Sequence, residues 1–468
     1  MIKRCKGCHD IYGKEGMVWL YINEVIESLM EKYNYEFIRT PIFESSDLFH
    51  RGIGDSTDIV TKETYDFKDR GDRNITLRPE GTAGVVRSFI ENKMYGENLP
   101  KKLWYNGTMY RYERPQSGRD RELTQFGVEV LGSDDPIVDA EVISIPVMLY
   151  KLLGLSEIKV NINTLGDNES RDNYRKALVD YFTPHIEELC EDCQVRIKKN
   201  PLRILDCKVD CDLDIMKNAP KTIDYLNEES KERFELVKKY LTEMGIEYVV
   251  NPSIVRGLDY YNHTVFEIEA KVEGFGSQNV LGAGGRYNGL VEQLDGPKTC
   301  GVGFATGIGR LAMALELEEV DLPIKEGIDA FVMYVNEEEK TFASKLVQDL
   351  RMNGYRVDTE YTSRSLKAQF KQADRLATKY YIILNSEDIK NHQVKVKNAS
   401  TKSEELVDID YIIYYLDEAL KYSDDYMTYD NIGVDDGCHC ENDCQCDDDC
   451  HCGDDCHCHH CDCDHGKE

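Results

Sequence analysis

The sequence has no run approaching the ~20 consecutive apolar residues that a membrane-spanning helix needs, which excludes a helical membrane protein. Its opening residues, MIKRCKGCHDIYGKEG, hold no apolar core of the kind that directs export, so secretion by a cleaved signal is not expected. Positive charge is short: 57 Lys+Arg stand against 87 Asp+Glu, a net charge of −30, which excludes broad non-specific affinity for nucleic acid. The 17 cysteines are odd in number and come without an export signal. A disulfide framework is therefore not expected, and reduced cytosolic thiols are. Tryptophan is scarce, with 2 residues, and the hydrophobic fraction of 41% is slightly below the globular norm, but 10% aromatics and 34 Gly argue against wholesale disorder. A chain of 468 residues suggests two to four domains.

The acidic excess is unevenly spread. Residues 424–468 carry 15 Asp+Glu and one Lys, whereas residues 327–422 carry 16 Asp+Glu and 14 Lys+Arg. Screening confines a charge's field to about 8–10 Å, so the near-neutral stretch can still present a local basic stripe to a polyanion.

Met17–Tyr33 reads as a long amphipathic helix, with Val18, Ile22, Val25, Ile26, Leu29 and Tyr33 at helical spacing. A strand over Glu36–Thr40 stops at Pro41, and further strands are expected at 74–77, 102–112, 124–131, 265–270 and 301–304. Without a regular strand–helix rhythm before residue 325, these predict an α+β fold on a mainly antiparallel sheet. Residues 327–421 alternate strand and helix, ending in the strand Tyr380–Leu384, and predict a small α/β domain with a parallel sheet. The expected division is thus 1–325, 326–421 and a tail, 422–468, too poor in apolar residues to build a core.

Four segments carry chemistry. Leu77-Arg78-Pro79-Glu80-Gly81-Thr82 sets a carboxylate and a hydroxyl two residues apart, able to accept hydrogen bonds from an ammonium group, although a helix cap uses the same residues. Arg111, Arg114, Arg119 and Arg121 fall within eleven positions around a Pro/Gly loop, where guanidinium forks suit a polyphosphate; a solvated charged hairpin would look the same. Val255-Arg256-Gly257-Leu258-Asp259-Tyr260-Tyr261 is followed by Ala283-Gly284-Gly285-Arg286-Tyr287. Last, a glycine-rich strand, Gly301-Val302-Gly303-Phe304-Ala305-Thr306-Gly307, leads into a helix carrying Arg310. Glycine in a strand marks close approach by a ligand or another chain segment.

Taken together, the helix and strand ending at Pro41, the arginine loop and the glycine-rich strand with Arg310 resemble the three motifs of class II aminoacyl-tRNA synthetases. The segments L-R-P-E-G-T, V-R-G-L-D-Y-Y and A-G-G-R-Y narrow the resemblance to the histidyl-tRNA synthetase family, over roughly residues 1–421. The resemblance implies a cytoplasmic homodimer acting on L-histidine, ATP with Mg²⁺, and tRNA(His). It implies that Glu80, Thr82 and Gln125 hold the histidine ammonium, that Glu129 and Tyr261 read the imidazole, and that Tyr260 also belongs to the histidine site. It implies further that Arg111, Glu113, Arg119, Leu123, Arg256 and Arg310 bind ATP, with Arg111, Arg256 and Arg310 serving catalysis. Leu123 departs from the family, which usually places an adenine-stacking Phe there. The latter domain resembles the family's anticodon-binding domain. Its expected helix Ser363–Thr378 would line up Arg364, Lys367, Lys371 and Arg375, a stripe that is either solvated or turned to tRNA. A paralogous family, the regulatory subunits of ATP phosphoribosyltransferase, is the alternative reading; those typically lack the second domain and the arginine at position 256.

The cysteines fall in three groups. Cys5-x-x-Cys8-His9 has the haem-attachment pattern, but attachment requires export and the segment aligns with a family stretch that needs no cysteine. Cys190, Cys193, Cys207 and Cys211, in a stretch of about 167–250 where the family carries a helical insertion, are spaced for one structural tetrahedral Zn²⁺. The tail repeats Cys-x-Cys five times, at Cys438 and Cys440, Cys444 and Cys446, Cys450 and Cys452, Cys456 and Cys458, and Cys461 and Cys463. That composition is expected to take up soft metal ions and gives, from that alone, an alternative reading as a metal-binding protein.

Overall fold

The structure, a computed structural model, describes residues 1–421 apart from 55, 56, 58, 117, 200, 206, 208, 255–257, 259, 273 and 276–278. The tail lies outside the described residues, and with it all ten cysteines expected to bind soft metal ions: Cys438, Cys440, Cys444, Cys446, Cys450, Cys452, Cys456, Cys458, Cys461 and Cys463. The chain forms two compact units that meet between Ile324 and Lys325.

In chain order the strands of the first unit are β1 (Glu36–Phe37), β2 (Phe43–Ser45), β3 (Tyr65–Lys68), β4 (Asn74–Leu77), β5 (Lys101–Tyr110), β6 (Glu122–Leu131), β7 (Ile158–Thr164), β8 (Tyr248–Val250), β9 (Asn262–Ala270), β10 (Val280–Arg286) and β11 (Gly301–Gly307). Eight of them make one sheet in the order β1-β5-β6-β11-β10-β9-β7-β8, and β2, β4 and β3 make a small second one. Only the outer pairs β1–β5 and β7–β8 of the large sheet are parallel, as an α+β fold on a mainly antiparallel sheet requires.

Alternation along the central strands sorts their side chains between two cores. Trp104, Phe126, Val128, Val130, Val302 and Phe304 pack with the helices Gly13–Lys32, Pro136–Leu152 and Ile308–Leu317. The first of those helices buries Ile22, Val25, Ile26, Leu29 and Met30. At roughly 1.5–3 kcal/mol for each large apolar side chain, that face anchors the helix far more firmly than its intrinsic propensity does. On the opposite face Leu103, Tyr105, Met109, Leu131 and Tyr287 pack under the helix Thr82–Glu91. That second face carries the candidate site.

Residues 167–250 add the helices Asn168–Phe182, Glu191–Lys199 and Glu228–Glu243. The first two share a separate core that includes Tyr174, Leu178, Phe182, Cys193, Ile197 and Cys207.

The second unit contains β12 (Ala330–Tyr334), β13 (Val357–Thr359), β14 (Tyr380–Leu384), β15 (Gln393–Asn398) and β16 (Glu404–Asp408), in the order β13-β12-β14-β15-β16. Ala330, Val332 and Tyr334 face one core while Phe331 and Met333 face the other, which is why β12 reads as an unbroken apolar run. The sheet is mixed rather than parallel: β13, β12 and β14 are parallel, but β15 and β16 run antiparallel. The expected helix Ser363–Thr378 is also shorter, Leu366–Arg375, because Ser363 takes a positive φ of 54° and breaks it ahead of Arg364.

Candidate active site

Glu129 stands on β6 at the centre of the second face and is 1% exposed. Tyr287 donates its hydroxyl to one carboxylate oxygen at 2.6 Å, and Thr82 donates to the other at 2.7 Å. The Tyr105 hydroxyl lies 3.5 Å from the same oxygen as Thr82. Burial drives the Glu129 carboxyl up to about 8; the Tyr287 and Thr82 hydrogen bonds oppose that rise, and nearby Glu80 adds to it. The glycines of β11 make room for this arrangement. Gly303 pairs with Glu129 across the sheet, and a Cβ there would collide with the carboxylate.

Glu80 ends the turn after β4, also buried. Its oxygens accept from the backbone N–H of Thr82 at 2.7 Å and of Ala83 at 2.9 Å, so the carboxylate caps the helix Thr82–Glu91. Burial raises its pKa, while these N–H groups and Arg111 restrain the rise. Gln125, four residues before Glu129 and hence on the same face of β6, keeps a buried side-chain oxygen with no partner among the described residues. Tyr260 and Tyr261 complete the wall, their rings 4.7 Å apart, with Tyr260 5.7 Å from Tyr287.

A cationic region adjoins this acidic pocket. The Arg111 Nε donates to the Pro79 carbonyl at 2.8 Å, which ties the arginine loop to the Glu80 turn. Glu113 lies between Arg111 at 3.8 Å and Arg119 at 3.4 Å. Arg310 stacks its guanidinium 5.0 Å from the Phe275 ring, and burial together with Arg119 depresses its pKa. Leu123 pairs with Met109 across β5 and β6 and packs against the pocket core. Arg256 lies outside the described residues. The amino-terminal segment runs beside the loop: the Gly7 carbonyl accepts from Arg121 N at 2.8 Å, and His9 meets Asp120 at 2.9 Å.

The pattern in the sequence missed three members of this site. Tyr105 gave no signal, since its position opposite Gly127 emerges only from the β5–β6 register. Tyr287 sat within A-G-G-R-Y without a role, and Phe275 in a stretch with no motif. The cations expected on one helix are divided. Lys367, Lys371 and Arg375 are exposed on the helix Leu366–Arg375, whereas Arg364 precedes it and binds Glu360 at 2.8 Å. Burial alone would push Glu360 up, but the Arg364 and Thr362 hydrogen bonds hold it at about 2. In the 167–250 segment, Cys190, Cys193 and Cys207 gather with Asp210, while Cys211 is exposed and outside the group.

Residues 9–311 match the histidyl-tRNA synthetase family, and residues 329–419 match the anticodon-binding domain family. The chain belongs to the histidyl-tRNA synthetase family. It is 51% identical over 417 residues to the histidine–tRNA ligase of Anoxybacillus flavithermus, covering 89% of this chain and 99% of that one. The Staphylococcus aureus (strain Newman) histidine–tRNA ligase is 50% identical, also over 417 residues, with the same shares of each chain. The crystal structure of apo S. aureus histidyl-tRNA synthetase superimposes with a TM-score of 0.77 at 45% identity, covering 89% of this chain and all of that one. The reaction is therefore histidine–tRNA ligation: ATP-dependent activation of L-histidine to histidyl-adenylate, then transfer to the 3′ end of tRNA(His). The regulatory-subunit reading gives way to it. Class II synthetases use ATP with Mg²⁺. Among the described residues no helix is long and apolar enough to cross a membrane.

Proposed function

We propose that the acidic pocket holds histidine and the adjoining arginines hold ATP, so that the histidine carboxylate meets the α-phosphorus where the two regions join. Glu80, Thr82 and Gln125 take the ammonium group; the Gln125 oxygen, with no hydrogen-bond partner among the described residues, suits such a donor. Glu129, with Tyr260 and Tyr261, takes the imidazole, whose neutral ring offers one N–H and one acceptor nitrogen. Arg111 and Arg256 grip the α-phosphate, Arg119 and Arg310 the remainder of the triphosphate, and Glu113 and Leu123 the adenosine side. The observation that carries this reading is the buried Glu80–Thr82–Glu129 group tied to Arg111 through Pro79.

Adenylation joins two anions. Fixed guanidinium charge and alignment supply the catalysis, and no general base is required because the carboxylate is already ionised. Mg²⁺ would accompany ATP and supply positive charge at its phosphates beside the arginines. The second unit binds tRNA through Lys367, Lys371 and Arg375, with Arg364 held at the end of the stripe. The working form is a cytoplasmic homodimer; Phe37, Ile42 and Phe43 present large exposed apolar side chains within seven residues, as an interface needs. A structural Zn²⁺ in the 167–250 segment and soft metal ions on the tail cysteines belong to the same reading.

The test is Glu129→Ala. An imidazole N–H left without its acceptor costs about 1–3 kcal/mol. Histidine kcat/KM in pyrophosphate exchange should fall at least about tenfold, with a smaller change in the KM for ATP. Equal losses for both substrates contradict the assignment.

A further inference from the structure

Cys190, Cys193, Cys207 and Asp210 each offer one ligand atom, all within 4.8 Å of one another. We propose that these four residues, and not Cys211, hold the Zn²⁺ of the 167–250 segment; this rests on the reading that the segment binds zinc at all. Two of the distances within the group match the edges of a tetrahedral zinc site. Zn–S bonds of ~2.3 Å place two sulfurs about 3.8 Å apart, and a Zn–O bond of ~2.0 Å places oxygen about 3.5 Å from sulfur. Cys190 Sγ and Cys207 Sγ are 3.7 Å apart, and Cys207 Sγ is 3.6 Å from Asp210 Oδ2. The sulfur pair is far beyond the ~2.05 Å of a disulfide.

The surroundings suit a closed site. Cys193, Cys207 and Asp210 are all buried. The Asp210 N–H donates to Cys207 Sγ at 3.4 Å, and the Cys190 N–H donates to the Asp210 carboxylate at 3.1 Å, so ligands and backbone orient each other. Cys190 and Cys193 flank the start of the helix Glu191–Lys199. Three thiolates and a carboxylate leave a charge of −2 on the zinc-loaded site, and Arg196 sits close enough to feel both Cys193 and Cys207. The spacing becomes symmetrical: Cys-x2-Cys at the helix start and Cys-x2-Asp beyond its far end. Zinc binding releases the three thiol protons and pins the loop to the helix, so its binding free energy becomes folding free energy of this small core.

Amide hydrogen exchange of the full chain tests the ligand set, with metal-stripped protein supplied with excess Zn²⁺ under reducing conditions. Reading exchange peptide by peptide separates this site from the tail cysteines. Residues 189–211 should exchange about tenfold more slowly, or beyond, with Zn²⁺ in the parent and in C211S. That slowing should vanish in C193S and D210N; the Asn still accepts the Cys190 N–H, and metal-free exchange over residues 189–211 equal to the parent's certifies that variant as folded. Slowing retained in D210N but lost in C211S overturns the ligand set and leaves the zinc reading standing. Slowing lost in both variants, or retained in both, also overturns the ligand set. No slowing in the parent overturns both.

Discussion

Burial decides where the proton on Glu129 resides. Glutamate in the unfolded chain ionises near its ordinary value of about 4.3, while in the folded protein Glu129 keeps its proton to about 8. Between those values unfolding releases a proton, so this group's contribution to stability is full below the lower value and is lost as pH rises towards 8. Glu129→Gln has no proton to release. Thermal melts of the histidine-free protein should show the variant gaining on the parent steadily from pH 5 to pH 8, and parallel profiles would refute the assignment. The same residue shows why a sequence yields a site only in part. Glu129 entered only through the family resemblance, and Tyr105 and Tyr287, which hold its carboxylate, are 24 and 158 residues away.

At the scale of elements, strand register turns separate motifs into one site. Gly303 faces Glu129 because β11 pairs with β6 in the register Gly303↔Glu129, and no single segment carries that information. Overpacking of this kind costs about 1–3 kcal/mol. Gly303→Ala should therefore lower histidine kcat/KM about tenfold or more by displacing Glu129, with the KM for ATP less affected; an unchanged kcat/KM would show that the glycine serves no close approach. Strand-like apolar patterning made β5 and β6 readable, and unbroken apolar runs did the same for β12 and β14. The hairpin β15–β16 was not, since Gln393-Val394-Lys395-Val396-Lys397-Asn398 turns lysines outward on a sheet's last strands and resembles loop sequence. The helix Leu366–Arg375 leaves Lys367, Lys371 and Arg375 exposed, while Leu366, Phe370 and Ala373 pack beneath it. Replacing the three cations by Gln should weaken tRNA charging with a reduced salt dependence and leave pyrophosphate exchange intact. Equal charging by parent and variant would remove this face from RNA recognition.

For the whole molecule, both family matches end by residue 419, ahead of the cysteine-rich tail. Removing residues 424–468 should leave aminoacylation unchanged and reduce the zinc taken up under reducing conditions by about two to four ions, the capacity of ten thiols that bridge between metals. Equal zinc in the two chains would contradict the tail reading. Net charge hid the division of labour here. A total of −30 argues against a nucleic-acid partner, yet residues 424–468 carry 15 Asp+Glu against one Lys while residues 327–422 are close to neutral.

The central claim is that the pocket around Glu80, Thr82 and Glu129 selects histidine for adenylation. ATP–pyrophosphate exchange with each of the twenty amino acids in turn tests it most directly. The account predicts exchange with histidine alone, and that exchange greatly reduced in Glu129→Ala. Exchange supported by a different amino acid, or undiminished histidine exchange in that variant, would contradict it.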